Sequence, residues 1–226
     1  MRDILTKARE TIAESDALLI GASNGLSIAE GYNIFADNEM FRQQFGDFRS
    51  AYGIRSVLEG CFHRYSDAAA GKAFLKRLVQ LWVRNYRPTR VMTDLLGLVG
   101  RKEYFVVTSN GDTHLELSGF APERVFEIEG TFELWLAGAP IADRSAELAE
   151  FVERYGNSRL VMLDLGIGSR NQLIKAPMMR LCTRLPRASY ITLNLPHEIS
   201  ICGSIVDRSL ALPGDIAVTL DNLLHA

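Results

Sequence analysis

An α/β domain, a parallel sheet with helices on both faces, is the fold this sequence predicts. Three observations carry it. Short apolar runs recur along the chain, as buried strands do. Helical patterns separate those runs, and polar or glycine-rich turns follow their carboxyl ends. The expected architecture is a Rossmann-like sheet with a helical insertion, all within a single domain spanning 1–226.

The elements follow in order. Residues 2–14 show helical spacing, with Ile4, Leu5, Ala8 and Ile12 on one face. Asp16 precedes an apolar strand at about 17–21. Tyr104–Thr108 and Arg124–Ile128 read as the second and third strands. Leu160–Leu165 and Tyr190–Asn194 read as the fourth and fifth, and a short sixth falls near Ser209–Leu212. The interval 32–100 is richer in aromatic and charged residues and reads as several helices inserted between the first two strands. Within it, Asp67–Arg87 is one long amphipathic helix, with Phe74, Leu75, Leu78, Leu81 and Trp82 at packing intervals. Pro88 ends it, and another helix follows at about 90–99.

Composition narrows the function classes. The chain has 226 residues, 47% of them apolar, enough for one substantial core. A net charge of -2 disfavours a nucleic-acid or anionic-membrane surface. The three cysteines, Cys61, Cys182 and Cys202, form no C-x-x-C pair, so a four-cysteine zinc site is not expected and metal ligands are expected to be none. Their odd number suits a reducing cytoplasm. The charged start Met1–Lys7 lacks a signal-peptide run, and no segment approaches a membrane span. The four histidines, His63, His114, His197 and His225, show no metal-ligand spacing; His114, two residues after Asp112, reads as a helix-surface residue that could approach a site.

Polar residues gather where the strands end. Leu18-Leu19-Ile20-Gly21-Ala22-Ser23-Asn24-Gly25-Leu26-Ser27 passes from a buried strand into small and polar residues, the pattern of a phosphate-cradling loop or of a tight strand-to-helix turn. Its spacing is not G-x-G-x-x-G. Thr108–Asp112, Glu129-Gly130, Gly166–Asn171 and Asn194–Pro196 follow the later strands. Each would serve as a helix cap. Together they make a composite ligand site at the sheet's carboxyl edge. Arg55 and Arg170 would meet phosphates or form surface ion pairs, and Tyr32, Phe35 and Phe41 would form a lid or pack the insertion.

With these segments in place, the chain resembles the sirtuins, and especially the divergent bacterial class associated with macrodomain proteins. Gly21-Ala22-Ser23 resembles the family's Gly-Ala-Gly loop. Gly25-Leu26-Ser27, Glu30-Gly31-Tyr32, Phe45-Gly46-Asp47-Phe48 and Tyr52-Gly53-Ile54 resemble the divergent class. Thr108-Ser109-Asn110-Gly111-Asp112 is similar to Thr-Gln-Asn-x-Asp. Gly166 and Ser169 stand where the family has a Gly-Thr-Ser turn, Asn194 matches the asparagine after the fifth strand, and Gly214-Asp215-Ile216 resembles the C-terminal segment.

The resemblance implies NAD bound across the sheet edge. Gly21, Ala22, Ser23 and Gly25 would line the diphosphate, Asn110 and Asp112 would face the nicotinamide ribose and nicotinamide, and Gly166, Ser169 and Asn194 would surround the adenosine half. Departures from the pattern matter too. Ser23 replaces a loop glycine, the Pro-Asp-Phe-Arg segment is absent, and only Thr131–Ala142 remains where a zinc module would stand, so that module is vestigial. Glu129 replaces the catalytic histidine before Gly130. A glutamate is a weaker base than histidine unless burial raises its pKa. Its carboxylate would instead stabilise the positive charge that develops on the ribose, or it is a structural residue in an inactive site. Asn110, Asp112 and Glu129 are the catalytic candidates. The function implied is NAD-dependent ADP-ribosyl transfer to a protein, in the divergent class a modified, lipoylated carrier protein. The alternatives left open are a non-catalytic NAD or ADP-ribose module, a deacylase and an NAD hydrolase.

Overall fold

The computed structural model describes residues 2–225. It opens with α1 (Arg2–Glu14), whose Ala8 and Ile12 turn inward, and β1 (Ala17–Ala22), buried along its whole length. After β1 come α2 (Asn24–Ala29), α3 (Glu39–Tyr52), α4 (Val57–Phe62) and α5 (Ala68–Leu78). The Asp67 side chain caps α5 by accepting from the Ala69 N–H at 2.8 Å. The expected Asp67–Arg87 helix is found, but its last part, Val79–Arg84, widens into π-helix and stops three residues short. Next come α6 (Arg90–Val99), β2 (Glu103–Thr108), α7 (His114–Leu117) and β3 (Val125–Glu127), then α8 (Phe132–Ala137) and α9 (Ser145–Tyr155). The chain finishes with β4 (Leu160–Leu165), α10 (Lys175–Arg184), β5 (Ser189–Asn194), β6 (Ser209–Pro213) and α11 (Ile216–His225).

The six strands are all parallel, in the order β3-β2-β1-β4-β5-β6. The order reverses beside β1, which places a crevice at the carboxyl ends of the central strands. Side-chain alternation divides the core into two layers. Leu18, Ile20, Val106, Leu163 and Ile191 pack against α1, α6 and α11. Leu19, Phe105, Met162 and Tyr190 face α9 and α10, where they meet Phe151, Met178 and Cys182. A third, aromatic core binds the inserted helices: Phe41, Phe45, Phe48, Phe74, Leu78 and Trp82, with Phe132 of α8. The Phe74–Trp82 stripe is therefore packing. Helix α6, although inside the interval 32–100, lies in the sheet's own layer against α11. The residues between β3 and α9, expected to be a remnant, contain the short helix α8. No helix among the described residues is long and apolar enough to cross a membrane.

Candidate functional site

The loops after β1, β2 and β3 converge beneath α4 and enclose a chamber of about 140 Å³. Its floor is Ser27, Asn110 and Asp112, all nearly buried. Its wall includes Asn24, Ser109 and Glu129, and its roof is Val57, Leu58, Cys61 and Phe62. Burial pushes the Cys61 thiol up to about 12, which leaves it inert as a nucleophile.

Hydrogen bonds lock the floor. Asn110 Nδ2 donates to the Ser23 carbonyl at 3.2 Å and to Ser27 Oγ at 2.9 Å. Ser27 Oγ donates to Asp112 Oδ2 at 2.5 Å, and the His114 N–H donates to Asp112 Oδ1 at 3.1 Å. Asn110 Oδ1 is buried and accepts nothing within the protein. It is an acceptor that a ligand N–H or O–H would satisfy. Ser23 bonds Ser109, Oγ to Oγ, at 2.9 Å, tying the first loop to the second.

Behind Asp112 lies a residue whose place the sequence did not reveal. Expected on a helix surface, His114 is fully buried. Thr113 causes this: its φ of 56° lies in the left-handed region, a strained conformation for a β-branched residue, and it turns the chain inward. His114 Nδ1 stands 3.0 Å from Glu30 Oε2, and Nε2 stands 2.8 Å from the Trp82 carbonyl oxygen. The Trp82 carbonyl only accepts, so Nε2 donates to it, and the Glu30 carboxyl group beside Nδ1 favours the doubly protonated imidazolium. Burial works against that charge, but Asp112 and the Glu30 hydrogen bond outweigh it and hold the pKa above 6.5. Tyr86 stacks on the ring at 3.8 Å, and Tyr32 meets it edge-on at 4.5 Å. Glu30 Oε1 also accepts from Tyr86 and Thr89, each at 2.7 Å. Nothing in the Ala29-Glu30-Gly31 context marks Glu30 as a buried counter-ion.

The glycines serve close packing. A Cβ at Gly25 would stand 2.5 Å from Gly166 Cα, and the Gly25 N–H donates to the Gly166 carbonyl at 3.1 Å, so the loops after β1 and β4 touch backbone to backbone. Gly166 has a φ of 64° and needs to be glycine on its own account. Gly21 differs. It lies inside β1, and a Cβ there would meet Met178, Ile167 and Ile174, so the space it leaves belongs to the α10 packing rather than to a diphosphate. Ala22 likewise turns its side chain into the core.

Ser169 and Asn194 stand apart from the chamber, with Gly166, on the other side of that contact. Asn194 Nδ2 donates to the Ile167 carbonyl at 2.8 Å, and Asn194 Oδ1 accepts from the Leu195 N–H at 2.9 Å. The Ser169 N–H donates to Glu198 Oε2 at 2.7 Å. A buried ion pair organises this loop. Lys175 Nζ lies 2.9 Å from Asp164 Oδ2, both side chains fully enclosed, and donates to the Ile167 carbonyl at 2.9 Å. Tyr190 and Thr192 complete the Asp164 carboxylate, at 2.8 and 2.9 Å. An aspartate within Val161-Met162-Leu163-Asp164-Leu165 was the available signal, because a charge in a doubly covered strand requires a partner.

Glu129 follows β3 at the open side of the chamber. Its side chain is exposed, and its carbonyl accepts from the Trp135 indole N–H at 3.0 Å. Gly130, at a φ of 75°, makes the turn, and Ile141 packs where its side chain would be. Phe41 is wholly inside the aromatic core, whereas Phe35 is exposed. Arg55 pairs with Asp37 at 3.3 Å on the surface, beside Arg42 and Arg49. Among the described residues, Asp94, Asp221 and His225 bring three ligand atoms within 4.8 Å of one another, but Arg90 already pairs with both aspartates.

No family model matches the chain. A protein ADP-ribosyltransferase of Staphylococcus aureus (strain Mu50 / ATCC 700699) is 24% identical over 273 aligned positions, covering 96% of this chain and 86% of that protein. The crystal structure of a Sir2 homologue–NAD complex superposes with a TM-score of 0.59 at 16% identity, over 97% of this chain and 92% of the other. A Sir2 enzyme bound to a propionylated peptide superposes with a TM-score of 0.58 at 14% identity, over 97% of both chains. The fold is that of the Sir2 sirtuins, as the sequence motifs implied.

Proposed function

We propose that this chain is a sirtuin-type enzyme that uses NAD and transfers ADP-ribose to a protein. The observation that carries the reading is the chamber floor, where buried Asn110 Oδ1 lacks a partner and Ser27 and Asp112 are held rigidly around it. No lysine, arginine or histidine lines the chamber, while Asp112 and Glu129 do. That charge balance suits the cationic nicotinamide ring. When bound, NAD supplies an ADP-ribosyl group with nicotinamide as its leaving group.

The protein's part is positioning and electrostatics. Asn110 Oδ1, buried and unpartnered among the described residues, would accept a hydrogen bond from the nicotinamide end. Asp112, fixed by Ser27 and the His114 N–H, keeps its carboxylate at the floor. Glu129, exposed where it lines the chamber, would stabilise positive charge developing on the ribose. Ser23 and Gly25 border the diphosphate path, with Gly166, Ser169 and Asn194 on the adenosine side. The likeness to a protein ADP-ribosyltransferase favours transfer over deacylation, as does Glu129 in place of a neutral base. The acceptor implied by the resemblance is a lipoylated carrier protein.

Release of nicotinamide from NAD tests the reading. The wild-type chain should release it, and Glu129→Gln should slow release about 10²–10³-fold while leaving NAD affinity within a few-fold. A wild-type chain that binds NAD yet releases no nicotinamide, even with cell extract as a source of acceptor, is a binding module instead.

A further inference from the structure

The mouth of the chamber has a chemistry of its own. Phe62, the large aromatic residue at the end of α4, is 71% exposed. Across the opening stands Trp135 of α8, its ring centroid 6.0 Å from that of Phe62 and the planes inclined at 61°. Glu129, an exposed residue that lines the same chamber, holds the Trp135 indole through its backbone carbonyl. The Trp135 ring is thus fixed by its own N–H, while Phe62 offers a free face. Among the described residues, no lysine, arginine or histidine lines the chamber.

We infer that this rim is the recognition site for a basic side chain of the protein partner, an arginine guanidinium. An aromatic pair next to a carboxylate, free of competing cations, attracts a cation through both the ring quadrupoles and the negative charge. A guanidinium fits better than an ammonium, because it is planar, stacks on aromatic faces and sheds water more readily. The inference deepens the ADP-ribosyltransferase reading by naming what the partner presents at the chamber. It rests on that reading only for the partner's being the acceptor.

The experiment needs no NAD, so its failure is separable from failure of the transferase reading. The chain has two tryptophans, and Trp82 is fully buried, so a change in emission on adding a small peptide reports on Trp135. Blocked glycine tripeptides with a central arginine, lysine or citrulline are titrated into the full chain. Saturable quenching by the arginine peptide, weaker for lysine and absent for citrulline, is expected, and it should weaken as salt is added. Phe62→Ala should loosen arginine binding about two- to five-fold, the equivalent of the ~0.5–1 kcal/mol of an exposed cation–aromatic contact. Both Phe62→Ala and Glu129→Gln alter exposed side chains, so the fold is expected to survive, and unchanged melting temperatures check that. Equal quenching by arginine and citrulline peptides, no quenching by either, or full arginine affinity in both folded variants overturns the proposal.

Discussion

Glu30 and His114, 84 residues apart in sequence, form a buried ion pair, 3.0 Å from Oε2 to Nδ1, with neither side chain exposed. The pair joins the end of α2 to the start of α7 and so sets the position of Asp112, two residues before His114. Because the folded state holds the His114 pKa above 6.5, its contribution to stability is complete below that value and is lost as pH rises through the folded pKa. Thermal melts at stepped pH should therefore show a decline above about pH 6.5. In His114→Gln that decline should be absent, and below about pH 6.5 the variant should be less stable by ~3–5 kcal/mol, because Glu30 loses its counter-charge, the gap to wild type narrowing as pH rises. A variant as stable as wild type would contradict the imidazolium assignment.

Gly25→Ala should separate the loops after β1 and β4. The added Cβ meets the backbone of Gly166, at 2.5 Å from Cα and 2.7 Å from the carbonyl oxygen, and backbone does not yield as a side-chain tip does. A cost of about 1–3 kcal/mol is expected, with nicotinamide release falling more than stability accounts for. A variant with wild-type melting and turnover would show that the close approach is dispensable.

Lys175→Met should be among the most damaging changes on the far side of the sheet edge. It strips Asp164 of its cation in a fully enclosed setting and leaves the Ile167 carbonyl without that donor. The expected loss is about 3–5 kcal/mol, or roughly 6–20 °C in melting temperature for a chain of this size. Replacing Lys175 and Asp164 together, by methionine and leucine, should recover part of it. Equal losses in the single and double variants would mean that the pair is not the origin of the effect.

Glu127→Gln should stabilise the protein at neutral pH. Burial, then the neighbouring charges of Glu116 and Asp112, push the Glu127 carboxyl upward, and its Oε1 lacks a hydrogen-bond partner. A carboxylate with a raised folded pKa weakens the fold as pH climbs from its ordinary value of 4.5 through the folded one. After allowance for solvent on its outer side, the gain is about 1 kcal/mol, or roughly 2–4 °C at pH 8. It should vanish near pH 4, and a gain that persists there would point to another cause.

The chain's own pattern determined the sheet and where a site would lie. Runs such as Leu18-Leu19-Ile20 and Leu160–Leu165 carry the strand signal directly, because a doubly covered parallel strand must be apolar on both faces. The turns after them are legible because glycine and short polar residues mark the strand ends. What each turn residue does was decided by tertiary structure. Gly21 and Gly25 read alike in the loop, yet one makes room for α10 and the other for a second backbone. Asn194 reads as a ligand contact, and only the tertiary structure shows that its amide also braces the neighbouring loop. His114 reads as a surface residue until Thr113 turns it inward onto Glu30 and the Trp82 carbonyl. Local pattern reports how much apolar surface a segment must bury. Which distant charge, carbonyl or backbone atom fills the space beside a residue is set only when remote segments meet, and that decides both the protonation of His114 and the geometry of the chamber floor.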